Sequence, residues 1–139
     1  GVSCNQRFNY KGSNVDQVEI VRNLWSKFSS GDYEGTRSLF SDKLKVIWPT
    51  SREYYESVDE FIAVNEVFGK DWTFEIKHVE STGSDRVISI VYVTSPSWPN
   101  NFYATSVFAF SSNQIDTMET YWAFEDAQPE WRKDLSKVY

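Results

Sequence analysis

Proton transfer near neutral pH needs an imidazole, a carboxyl or a phenol held at a protected position, and this chain offers few of them. His78 is its single histidine; it falls near a strand end beside Lys77 and Glu80, a setting that suits an exposed ring better than a catalytic one. Asp116 has the inward parity of the last predicted strand but lies close to its turn, where a solvated strand end competes with an acid at a pocket rim. Tyr92 is the remaining phenol donor, and the pattern leaves its face open. Any Ser-His-Asp arrangement would have to use His78, and no nucleophile is placed near it. One His and one Cys cannot build a zinc site of the usual kind. Glycine-rich phosphate loops are missing, so no nucleotide cofactor is expected. Asn65 is the most informative polar residue, because it sits on the apolar stripe of a predicted helix between Phe61 and Phe68. A buried amide costs about 1–3 kcal/mol if left unpaired, so its partner is either a backbone group near the following loop or a ligand.

The remaining composition narrows the classes further. A chain of 139 residues fits one domain, and its net charge of −6 argues against a nucleic-acid binder, which needs a basic patch. No apolar run approaches the ~18 residues a membrane span requires. Aromatic residues reach 17%, with 6 Trp, 8 Tyr and 10 Phe. Residues 1–13 read as a polar, flexible tail ahead of a single domain over 14–139. Within that tail Ser3-Cys4 resembles the remnant of a bacterial lipoprotein signal, so an exported or lipid-anchored protein is expected as readily as a cytoplasmic one. Cys4 is a poor nucleophile there, with no basic residue before Arg7 to lower its pKa.

The elements that would position these residues follow from periodicity. Val18, Val21, Leu24, Trp25 and Phe28 recur at helical spacing over 15–30, with Asn14 as N-cap and Ser29-Ser30-Gly31 as stop. A shorter helix is predicted over 32–40. Strands are predicted at 45–48, closed by Pro49, and at 52–56. Ser57-Val58-Asp59-Glu60 has the form of a capping box, opening a helix that stops at Gly69. Over 72–80 the alternation puts Trp72, Phe74, Ile76 and His78 on one face. Val87 to Thr94 reads as a central strand covered on both faces, and 94–101, with Pro96 and Pro99, as a loop. Strands at 102–110 and 115–124 are joined by a hairpin connection at 111–114. Helices followed by consecutive strands give an α+β domain with a curved antiparallel sheet.

In order along the chain, Phe28-Ser29-Ser30-Gly31-Asp32, Leu39-Phe40-Ser41-Asp42, Val46-Ile47-Trp48-Pro49, Asn65-Glu66 with Trp72-Thr73-Phe74-Glu75, Phe102-Tyr103-Ala104-Thr105-Ser106 and Glu119-Thr120-Tyr121-Trp122 before Pro129-Glu130-Trp131-Arg132 resemble the SnoaL-like branch of the nuclear transport factor 2-like superfamily. The resemblance spans about residues 15 to 133. It implies a cone: a strongly bent sheet wrapped around about three N-terminal helices, with a cavity at the wide end for small apolar or polycyclic molecules, or pairing of two copies through the outer sheet face. By match to ketosteroid isomerases, the catalytic base position is occupied by Trp48 and the two oxyanion donors by Leu24 and Ser106, which excludes that reaction. By match to SnoaL-like cyclases, the acid–base position is nearest Thr120. The resemblance also implies a lining of Leu24, Phe28, Trp48, Ser106, Phe108, Phe110, Met118, Thr120 and Trp122, with Asn65 as a further polar contact.

Three functions stay open on this reading. One is a binding domain for a small apolar or aromatic molecule in an aromatic-lined pocket. Another is an isomerase, cyclase or hydratase using Asp116, His78 or Tyr92. The third is a homodimeric interaction module presenting Ile115, Thr117, Glu119 and Tyr121 on the outer face.

Overall fold

The computed structural model describes residues 14–139; the tail over 1–13, with Ser3-Cys4, lies outside the described residues. The chain opens with helix α1 (Asn14–Ser29). Its stripe of Val21, Leu24, Trp25 and Phe28 is buried, the i, i+3, i+4, i+7 pattern of a helix laid on a core. Gly31 then turns the chain at φ +75°, a left-handed conformation that favours a residue without Cβ. A 3₁₀ segment (Glu34–Leu39) stands where a short helix was predicted.

Strands β1 (Phe40–Trp48) and β2 (Glu53–Tyr55) follow, then helix α2 (Val58–Phe68). Ser57 Oγ accepts from the Glu60 amide at 3.1 Å, as the capping box requires. Glu60 reaches back to the amide of Glu56 (2.7 Å), one residue before the cap. Four long strands complete the domain: β3 (Thr73–Gly83), β4 (Arg86–Ser95), β5 (Trp98–Ser111) and β6 (Gln114–Phe124). They build one curved sheet in the order β2-β1-β6-β5-β4-β3, in which only the β1–β6 pair is parallel. Helix α1 lies across β3 and β4, and α2 against β1 and β2. The predicted α+β architecture is thus the observed one. No helix among the described residues is long and apolar enough to cross a membrane.

Several local expectations need correcting. The stretch 94–101 is mostly strand: β4 and β5 meet in a tight hairpin with Ser95 opposite Trp98, and a register shift between that pair and Val93–Phe102 accommodates Pro99, which has no N–H for the ladder. Strand β4 is fully buried on alternate residues only; Ile88, Ile90 and Tyr92 on the other face are half-buried.

Two bulges matter more, because one extra residue turns every later side chain to the opposite face. In β3, Ile76 pairs with Val91 but His78 with Ile90, so Lys77 is the extra residue, and His78 is exposed while Val79 packs against the core. In β6, Ala109 pairs with Thr117 but Phe110 with Ile115, so Asp116 is the extra residue. Ile115, expected on the outer face, is therefore completely buried.

Candidate functional site

The two ends of the bent sheet carry different chemistry. Near the α1 N-terminus, buried Gln17 donates from Nε2 to Asp85 Oδ1 (2.8 Å) and to the Ser112 carbonyl (2.9 Å), tying the helix to two hairpin turns. Above it, Trp25 stacks on Phe74 (centroids 5.6 Å apart) and meets Phe28 and Phe108 edge to face. Its Nε1 donates to Ser89 Oγ at 3.0 Å. Leu24, Phe28 and Phe108 all lie in this packed core.

Toward the other end the aromatic side chains form a belt. Phe68 stacks on Trp72 at 4.3 Å, Trp72 meets Phe102 at 5.8 Å, and Phe102 meets Trp122 at 5.3 Å. Trp122 stands perpendicular to Trp48 at 5.3 Å, Trp48 meets Tyr55 at 4.7 Å, and Tyr55 meets Phe61 at 6.3 Å. The path begins at the end of α2, crosses the sheet from its β3 side to β2, and returns to α2 about two helical turns before its start. Strand parity explains why these rings share a side. Tyr55 lies opposite Val46 and Ala104 opposite Trp122, and Val46 and Ala104 are both core residues.

The polar groups of this region are few. Ser106 and Thr120, directly opposite on β5 and β6, share a hydrogen bond of 2.9 Å between their hydroxyls and are both buried. Met118 lies beside them, opposite Phe108 and Val46. Asn65 is buried on α2, between Phe61 and Phe68 in sequence, and donates from Nδ2 to the Phe61 carbonyl (2.8 Å). Its partner is thus a backbone group of its own helix rather than of the following loop. Trp48 Nε1 is buried with no hydrogen-bond partner. The Tyr55 phenol is pushed above its ordinary pKa by burial, then by the negative charges of Glu53 and Glu60.

The three proton-transfer candidates are not part of the belt. His78 is exposed. Tyr92 faces outward beside Tyr103, where it donates to Glu125 Oε1 and accepts from Asn101; the Glu125 bond raises its pKa first, with desolvation next. Asp116 sits in the β6 bulge, six residues of strand or ~20 Å from Trp122, with a buried and unpartnered Oδ1. An open depression of about 610 Å³ lies elsewhere, between Arg37, Ser41, Asp42, Ser57, Asp59 and Gln114, and holds none of the predicted site residues.

Tyr55, Phe61, Phe68, Trp72 and Phe102 are belt residues missing from the predicted lining. Alternation grouped Trp72 with Phe74 and Ile76 on one face, and the helical stripe marked Phe61 and Phe68. Tyr55 became visible only through its pairing with Val46.

No family model matches the chain, and no curated protein sequence does. Solved structures match closely in shape. A protein from Kribbella flavida provisionally named a ketosteroid isomerase superimposes with a TM-score of 0.79 at 12% identity, covering 91% of both chains. An NTF-2 like protein of unknown function from Burkholderia xenovorans gives 0.76 at 18% identity, over 92% of this chain and 99% of that one. An LEH-like epoxide hydrolase from M. tuberculosis gives 0.65 at 12% identity, over 78% and 84%. Bent six-stranded sheet, enclosed helices and these superpositions agree: the chain has the nuclear transport factor 2-like fold.

Proposed function

We propose that this domain binds a flat, largely apolar small molecule at its aromatic belt. The observation that carries this reading is the belt itself, with Trp48 and Trp122 half-buried and Phe68 and Phe124 exposed beside it. Buried aromatic rings with a few placed polar groups are the usual lining of small-molecule sites. Binding is favoured over acid–base catalysis because the proton-transfer candidates stand away from the belt: His78 is exposed, Tyr92 pairs with Glu125 and Asn101, and Asp116, with its buried Oδ1, sits ~20 Å along β6 from Trp122. The fold is shared with proteins named for isomerase and epoxide hydrolase chemistry, but fold alone transfers neither activity.

Thermal unfolding with indane, naphthalene and acenaphthene tests the proposal. These compounds raise the melting temperature of the wild-type domain, and the rise disappears in Trp122→Ala and Trp48→Ala variants whose circular dichroism is unchanged. Equal stabilisation of wild type and variants, or none of the wild type, refutes it.

A further inference from the structure

The segment that follows β6 is amphipathic and has nothing packed on its apolar side. Trp131, Leu135 and Val138 recur at i, i+4 and i+7, one face of a helix. Pro129 and Glu130 precede and open that pattern, residue types that helix N-termini favour. One helical turn is already formed: Ser136 N donates to the Arg132 carbonyl at 3.2 Å, and Lys133 pairs with Glu130 at 3.9 Å. Yet Trp131, Leu135 and Val138 are 76%, 81% and 74% exposed, and no side chain of the 3₁₀ turn Glu130–Arg132 is buried. Isolated helices shorter than about 12–15 residues are marginal in water, so this one needs a surface to cover its stripe.

A matching surface lies within reach on the same chain. Phe68 and Phe124, at the edge of the belt, are 41% and 69% exposed. Three ring-to-ring steps of 5.3–5.4 Å lead from Phe124 through Phe102 and Trp122 to Trp48. Trp131 follows Phe124 by seven residues, an extended reach of roughly 23–25 Å, which spans those steps. Charge agrees with this seat. Helix α2, bordering the belt, carries Asp59, Glu60 and Glu66 and no Lys or Arg, whereas residues 130–139 carry Arg132, Lys133 and Lys137 against Glu130 and Asp134. We infer that residues 130–139 close over the belt as a helical lid, with Trp131 and Leu135 seated on Phe68 and Phe124, and that the arrangement described above is its open position. The lid depends on the exposed rings of the belt and not on what the belt binds. Its linkage to β6 favours this seat over the same rings on a second copy, because the tether holds the segment at a high effective concentration.

Paramagnetic broadening tests closure without any ligand. A nitroxide is placed on Lys137→Cys, opposite the apolar stripe, in a Cys4→Ser background, and the ¹⁵N-labelled full chain is observed. Closure broadens the indole signals of Trp48 and Trp122 and the amide of Phe68 more than the amides of Gly83 and Ser112, at the other end of the sheet. Trp131→Ala combined with Leu135→Ala, two exposed positions whose loss leaves the core intact, removes that difference. Equal broadening at both ends, or a difference that survives the double change, overturns the lid. In a mixture of spin-labelled chain without ¹⁵N and ¹⁵N-labelled chain without the nitroxide, broadening of the belt signals assigns the contact to a second copy and overturns it as well. Naphthalene titration keeps the two readings apart. Closure in a chain that naphthalene does not stabilise upholds the lid and refutes the binding reading; stabilisation by naphthalene with no closure refutes the lid alone.

Discussion

The hydroxyl pair Ser106–Thr120 permits a sharp test of how this core is held. The two side chains are 0% and 1% exposed, their oxygens are 2.9 Å apart, and Ser89, opposite Ser106 on its other side, already accepts from Trp25. Ser106→Ala removes one oxygen and strands the Thr120 hydroxyl; Thr120→Val keeps the shape and strands Ser106. Each single change therefore costs about 1–3 kcal/mol, mostly the price of an unpaired buried hydroxyl. Removing both leaves nothing unpaired, and the double variant is expected within about 1 kcal/mol of wild type. Domains of this size hold about 5–15 kcal/mol, so all four proteins fold. Equilibrium urea unfolding with a common m-value gives the cycle, and the expected coupling exceeds about 1 kcal/mol. Additivity within about 0.5 kcal/mol would show that each hydroxyl finds another partner, and the reasoning would fail. Because the pair is satisfied internally, the double variant should also keep the ligand response of the wild type.

Two further outcomes follow from single positions. Tyr33 is buried, donates to the Gly69 carbonyl at 2.5 Å, and has its pKa raised to about 12, by burial first and then by Glu66. An unfolded Tyr ionises near ~10, so between about pH 10 and 12 the unfolded chain releases a proton that the native state keeps. The stabilisation is complete below ~10 and is lost as pH rises through this window; urea unfolding of Tyr33→Phe should show a shallower loss there than wild type, and equal slopes would refute the assignment. Gly31→Ala places a Cβ 2.9 Å from Lys70 Cβ at φ +75°; the left-handed backbone alone costs about 1–2 kcal/mol, and a change below ~0.5 kcal/mol in the urea midpoint analysis would contradict the geometry.

Elements governed by a local period were legible in the chain. The stripe of Val21, Leu24, Trp25 and Phe28 and the Ser57 cap each need only residues within a few positions of one another. The β5–β6 pairing was legible for the same reason, since a hairpin joins neighbours, whereas the β4–β5 hairpin lay hidden in the stretch 94–101 read as a loop. The bulges at Lys77 and Asp116 were not. A bulge is a property of a pair of strands, and neither side chain marks itself as the extra residue. The β6 bulge reversed an expectation, carrying Ile115 to the core, whereas the β3 bulge separated His78, exposed as its setting suggested, from the buried face of Trp72 and Phe74.

The site shows the same division more clearly. Trp48, Trp122, Ser106 and Thr120 were assigned to one face by a resemblance, and strand pairing puts them on one face. Tyr55 was not, although it touches Trp48 more closely than Trp122 does, by ring centroids of 4.7 against 5.3 Å. Its face depends on the pairing Val46–Tyr55 across the β1–β2 turn, in a strand of only 3 residues too short to display an alternation. The proton-transfer candidates were chosen by residue type, and type says nothing about which side of a bent sheet a group reaches. Once pairing is known, the belt needs no special residue to close it. Strand parity brings Trp48, Trp122 and Phe102 to the side of Val46 and Ala104, and α2 supplies Phe61 from its buried stripe and the exposed Phe68 from its end. Trp48 and Trp122, half-buried at the middle of that belt, are then the positions at which removing a ring tests the binding reading most directly.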